Sequence, residues 1–177
     1  YLLDGAQYQR LSSALSSSIP QFAVQTRQIL QAELGNVLDD IEYKKIIDGF
    51  ISSAAKDYPA RSLEQLRQIL SSKKSVDEIA EKIRARLLDW HNNRALQLGE
   101  NSAVKLTNEM TRKAAKKKGY RVIWQVMSGS PCQFCATLNG VTVDAGDTFK
   151  STKKGHKNRL NPPLHNGCHC MLVVETK

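Results

Sequence analysis

All four cysteines of this 177-residue chain fall between positions 132 and 170, and the 131 residues before them contain none. Cys132-Gln133-Phe134-Cys135 offers two thiolates from a tight turn, the usual first half of a tetrahedral zinc site. Beyond a loop comes His165-Asn166-Gly167-Cys168-His169-Cys170, in which His165 and Cys168 repeat the two-residue spacing and Gly167 permits the turn between them. Two half-sites flanking a loop make one whole site, so the tail is expected to close around a single zinc ion.

Five side chains compete for four places. Cys168 and Cys170 are two apart, and on a strand their sulfurs would share a face. The favoured set is Cys132, Cys135, His165 and either Cys168 or Cys170, with the four cysteines next; His169 would point away. A pair of disulfides fits small secreted domains better than a long chain with a cysteine-free majority. A redox CxxC would want a thioredoxin-like βαβ pattern, which is absent. Structural zinc in small folds contributes roughly 10 to 16 kcal/mol at neutral pH, so the tail is expected to unfold without its metal.

An enzyme is the weaker reading. Pro131-Cys132-Gln133-Phe134-Cys135 matches half of the zinc nucleobase deaminase signature, but the H-x-E half is missing: the one upstream histidine, His91, is followed by Asn92 and Asn93. A catalytic zinc keeps a position open for water, whereas this donor set fills every position. No catalytic residue is assigned.

Ahead of the cysteines the apolar residues recur at helical spacing. Pro20 suits a first helical position after a flexible Ser12–Ser18 lead-in, and Gly35-Asn36 ends that run. A second helix places Val37, Leu38, Ile41, Ile46, Ile47, Phe50 and Ile51 on one side and stops near Tyr58-Pro59. Ser62 with Gln65, and Ser75 with Glu78, read as capping boxes that start two more helices. The longer carries Val76, Ile79, Ile83, Leu87 and Trp90, with Gly99 as its cap. A last helix, about 102 to 118, turns Val104, Thr107, Met110 and Ala114 inward and ends on Lys116, Lys117 and Lys118.

After Gly119 the period changes to two, since Tyr120, Val122, Trp124 and Val126 alternate with Arg121, Ile123 and Gln125. Further short strands are expected at 141–143 and 168–174, with a Lys-, Gly- and Asn-rich loop from 150 to 161. The fold class is therefore α+β: a mostly helical part over 1–119, then a small β-rich zinc-bound module over 120–177. No window is apolar enough for a membrane span, and the first residues lack the order of a signal peptide.

The net charge of +9 is unevenly placed. Residues 1–111 hold fourteen basic and fourteen acidic side chains, and residues 112–177 hold twelve basic ones against Asp144, Asp147 and Glu175. A polyanion is the natural partner of that last third, through Lys113, Lys116, Lys117, Lys118, Arg121, Lys153, Lys154, Lys157 and Arg159. A solvated basic face, or one that docks on an acidic protein, is the competing account.

Trp124, Cys132-x-x-Cys135, Leu138-Asn139-Gly140, Phe149 and Pro162-Pro163-Leu164-His165-x-x-Cys168-x-Cys170, in that order, resemble the phage Mu F-like family of minor head proteins, also called phage head morphogenesis proteins. The likeness covers 124–174 and extends more loosely to the helix with Thr107, Asn108 and Glu109. Two places depart from the family pattern. Ser128-Gly129-Ser130-Pro131 stands where an acidic residue is usual, and His169 where an arginine separates the last two cysteines.

The resemblance implies a structural component of a tailed-phage virion, in several copies at the portal vertex inside the head and in the host cytoplasm during assembly. Its partners would be portal and head proteins, with packaged DNA met through phosphate contacts that need no base reading. A free-standing regulatory zinc protein that binds nucleic acid is the alternative. A deaminase or toxin-like effector comes third.

Overall fold

The computed structural model describes residues 5–150, 158–165 and 167–176, of which the first hundred or so are three long helices. Helix α1 spans Gly5–Leu34, α2 Asp40–Leu70 and α3 Val76–Lys118. Strand β1 (Arg121–Gln125), the short helix α4 (Gln133–Leu138), β2 (Thr142–Asp144) and β3 (Met171–Glu175) follow. A mostly helical region thus precedes a small three-stranded sheet of order β2-β1-β3, antiparallel throughout, with Trp124 opposite Leu172 and Val122 opposite both Val143 and Val174.

The helices are fewer and longer than the local signals suggest. Pro20 lies inside α1 and Pro59 inside α2, and Gly99 lies inside α3 instead of capping it. The serines expected to break or start helices are absorbed into them. Ser17 and Ser18 Oγ donate back to the Ala14 carbonyl at 2.8 and 2.6 Å, and Ser62 Oγ to the Tyr58 carbonyl at 2.7 Å. That back-bond, to i−3 from Ser17 and to i−4 from Ser18 and Ser62, replaces capping with an internal bond. At Ser75 the capping box is as read: its side chain accepts from the Glu78 amide while the Glu78 carboxylate accepts from the Ser75 amide. Gly119, at φ +66°, ends α3 in the left-handed conformation that side chains avoid.

Two cores flank α3. On one side Leu15, Ile19, Leu30 and Leu34 of α1 meet Ile46, Ile47, Phe50 and Ile51 of α2 and Leu106, Met110 and Ala114 of α3. Ile41, expected on that face, is 68% exposed, because at about 100° per residue it falls on the side of α2 opposite Ile46, Ile47, Phe50 and Ile51. On the other side Ala115 joins Val122, Trp124, Leu138, Ala145, Phe149, Leu164, Leu172 and three of the cysteines. Adjacent alanines, 114 and 115, therefore face different cores, and Tyr120 and Val174 border both.

Candidate metal centre

The second core is built around Trp124, which is fully buried and meets Phe149 edge to face at 5.2 Å between ring centroids. Its backbone fixes the turn after α4: Gly140 N–H donates to the Trp124 carbonyl at 2.8 Å, and Trp124 N–H donates to the Val141 carbonyl at 3.0 Å. Gly140, at φ +78°, makes that return possible, and the Asn139 side chain accepts from Val126 N–H at 2.9 Å. Leu138-Asn139-Gly140 is thus the clip that holds α4 against β1.

Cys132 caps α4, its sulfur accepting from the Cys135 amide at 3.4 Å, so the two thiols project from one helical turn and not from the plain turn the spacing suggests. From the other half-site, Gly167 adopts φ +71° and Cys168 N–H donates to the His165 carbonyl at 3.2 Å. This brings the histidine and Cys168 back to the α4 cysteines. Cys168 and Cys170 both precede β3, which begins at Met171, yet both are buried. His169 between them is exposed.

All five expected donors come together. His165 Nε2 lies 3.1 Å from Cys132 Sγ and 3.6 Å from Cys135 Sγ, and Cys135 Sγ lies 3.7 Å from Cys168 Sγ. The donors form two interlocking triads, Cys132-Cys135-His165 and Cys135-Cys168-Cys170, within each of which every donor atom is inside 4.8 Å of the others. Cys135 belongs to both. All four cysteines are free thiols, and the 3.7 Å separation is far beyond a disulfide bond. No aspartate or glutamate belongs to either triad among the described residues.

The environment is hard on anions that have no cation beside them. Burial pushes the Cys135 thiol up, reinforced by the neighbouring thiols of Cys132, Cys170 and Cys168. Burial likewise pushes Cys170 up, opposed by the neighbouring Trp124 indole and reinforced by Cys168. Cys132 differs: burial acts to raise it, but the amides of Cys135 and Phe134, the Cys135 thiol and His165 together bring it down to about 7.

The segment carrying Cys168 and Cys170 is tied to α3 by two asparagines that the spacing arguments passed over. Asn108, fully buried, donates to the Cys170 carbonyl at 3.0 Å and accepts from Leu172 N–H at 2.6 Å, while Asn101 accepts from Gly167 N–H at 2.9 Å. The two sit seven residues apart, two turns along one face of α3. A polar residue among Val104, Met110 and Ala114 was the available signal.

Several of the expected anion-binding cations are already engaged. Lys117 pairs with Asp39 and Glu42 at the start of α2, Lys113 with Glu109 at 3.4 Å, and Arg121 with Glu175 at 3.2 Å. Lys116 and Lys118 are exposed at the end of α3, with Lys116 lying over Gly146. Arg159 is exposed and exchanges both backbone hydrogen bonds with Phe149. Lys153, Lys154, Lys157 and His156 lie outside the described residues. No described helix is long and apolar enough to cross a membrane.

Two surface grooves, of about 570 and 560 Å³, have none of the five donors in their walls. Compared with protein-family models, with curated proteins and with solved structures, the chain finds a match in none of the three.

Proposed function

We propose that the Cys/His cluster is a structural zinc site and that the chain is a minor head protein of the phage Mu F-like type, a virion assembly component and not an enzyme. The observation that carries the metal reading is the spacing around Cys135. Zinc–sulfur bonds of about 2.3 Å and zinc–nitrogen bonds of about 2.0 to 2.1 Å give tetrahedral edges of about 3.8 Å between sulfurs and about 3.6 Å between sulfur and nitrogen. Cys135 stands 3.7 Å from the Cys168 sulfur and 3.6 Å from the His165 nitrogen. The ligands are then Cys132, Cys135, His165 and Cys168; the ion would draw Cys168 in from the second triad, since these four share no single 4.8 Å cluster, and would open the shorter 3.1 Å Cys132–His165 approach. Cys170 stands beside them under the Trp124 indole.

Soft donors that outnumber the four tetrahedral places, away from both grooves, suit an ion that holds a fold together and not one that receives a substrate. The deaminase alternative needs an upstream H-x-E unit for a third ligand and a proton-shuttling glutamate, and the one upstream histidine, His91, is followed by Asn92 and Asn93. The family reading rests on the motif, and its support is that each motif residue has a part in one small core: Trp124, Leu138, Phe149 and Leu164 as packing, Asn139 and Gly140 as the clip, the cysteines and His165 as donors. The helical region would dock on the portal, and the basic end of α3 would meet packaged DNA.

Elemental analysis of the purified chain is expected to find one zinc per molecule, lost in Cys132→Ser. Affinity capture from phage-producing cells is expected to recover portal protein. A metal-free native chain would remove the first claim, and capture of transcription components without head proteins would favour the regulatory alternative.

A further inference from the structure

Residues 56–100 comprise the second half of α2, the turn after it and the first half of α3, and not one of them is buried. None joins either core. The two helical halves do lie against each other: Tyr58 Oη donates to the Arg94 carbonyl, and the Arg94 guanidinium covers the ring of Tyr58 at 4.3 Å and that of Trp90 at 3.9 Å. Together they make an arm that extends past the packed part of the bundle.

The arm carries apolar residues that its own two helices leave uncovered. Leu70, Val76, Leu87, Leu88 and Leu96 are 59, 82, 49, 61 and 69% exposed. Val76 and Leu87 fall on the same helical stripe as the half-buried Ile79, Ile83 and Trp90, so the seam between the helices continues beyond what the α2 half covers. A two-helix pair with no buried residue gains little from packing, and helices in water depend on packing more than on intrinsic propensity.

The geometry points to self-association: two copies lay their arms together, completing a four-helix bundle across a two-fold axis. Charge favours a second copy over a polyanion, since residues 56–100 hold nine basic and seven acidic side chains, interleaved, in contrast to the basic last third. Size agrees as well. At 1.5 Å per residue and about 10 Å per helix the arm presents a face of roughly 600 Å², which interdigitating side chains bring near the about 800 Å² per partner of a standard interface. The inference is independent of the metal and of the virion reading.

Light scattering and sedimentation equilibrium of the full chain over a concentration series test it. The expected mass rises from that of one 19.8 kDa chain to twice that value. Val76→Lys with Leu87→Lys, the exposed positions of that stripe, is expected to weaken association about tenfold or more while leaving helical circular dichroism unchanged, because charges stranded on an apolar contact oppose it. Val76→Gln with Leu87→Gln, which adds no charge, is expected to weaken it in the same direction. Val24→Lys, on α1 outside the arm, should leave the dimer intact. A chain that stays monomeric at every concentration, a dimer untouched by both arm variants, or a monomer whose arm binds only a different protein would each overturn the proposal.

Discussion

The side-chain amide of Asn108 donates to the carbonyl of Cys170 across 3.0 Å, joining positions 62 residues apart. Its oxygen takes the Leu172 amide at the same time, so one side chain serves both backbone groups that the start of β3 turns away from β1. Asn108→Ala strands a buried donor and a buried acceptor, at about 1 to 3 kcal/mol each. A loss of about 2 to 4 kcal/mol in denaturant unfolding is expected, with weaker metal retention. A variant as stable as the parent would show that water replaces the amide at no cost.

Chelation should separate the two cores. No donor belongs to the three-helix core, so a strong chelator is expected to leave most helical circular dichroism in place. In a Trp90→Phe background the emission of Trp124 should shift to longer wavelength as its surroundings open, and zinc, but not magnesium, should restore it. Retention of buried-type Trp124 emission in the stripped protein would mean that apolar packing alone holds the sheet.

Ligand substitutions should not be equal. Cys135→Ser removes the donor common to both triads and is expected to abolish zinc binding, whereas Cys170→Ser keeps the proposed four and is expected to retain one zinc per chain. His169→Ala, at an exposed position, should bind as the parent does. If Cys170→Ser loses the metal while Cys168→Ser holds it, the fourth ligand is Cys170.

Any DNA contact through the end of α3 should depend on which lysines are free. Each phosphate neutralised contributes about −0.9 to the slope of log affinity against log salt. Replacing Lys116 and Lys118 together with Ala is expected to flatten that slope by up to about 2, and Lys117→Ala by less, because Lys117 is already paired with Asp39 and Glu42. Equal effects from all three, measured by fluorescence anisotropy on a random duplex, would show that the ion pair gives way to phosphate.

The sequence discloses this molecule where the signal is chemical and local, and hides it where packing decides. The five donors, the Ser75 capping box, the turn at Gly167, and the change of period at Tyr120 each follow from one residue's stereochemistry or spacing, and each is found in place. Pro20, Pro59, Ser62 and Gly99 carry equally local signals for helix breaks, yet α1, α2 and α3 run through them. Around Pro20 the buried Leu15, Ile19 and Ala23 keep a packed face that a break would scatter. Asn108 was harder to single out, since its partners lie at the far end of the chain and belong to backbone rather than to any patterned side chain.

Helix α3 runs 43 residues without a break, about 64 Å at 1.5 Å per residue, from the tip of the arm to the first strand of the sheet. It acts as a spar: whatever grips the leucines at one end sets the heading of the cysteine-bearing tail at the other, with no hinge between them to absorb a turn. A bound neighbour and a bound ion would thus be aligned by the same rod, and lengthening it by a single residue would swing the two ends about 100° relative to each other.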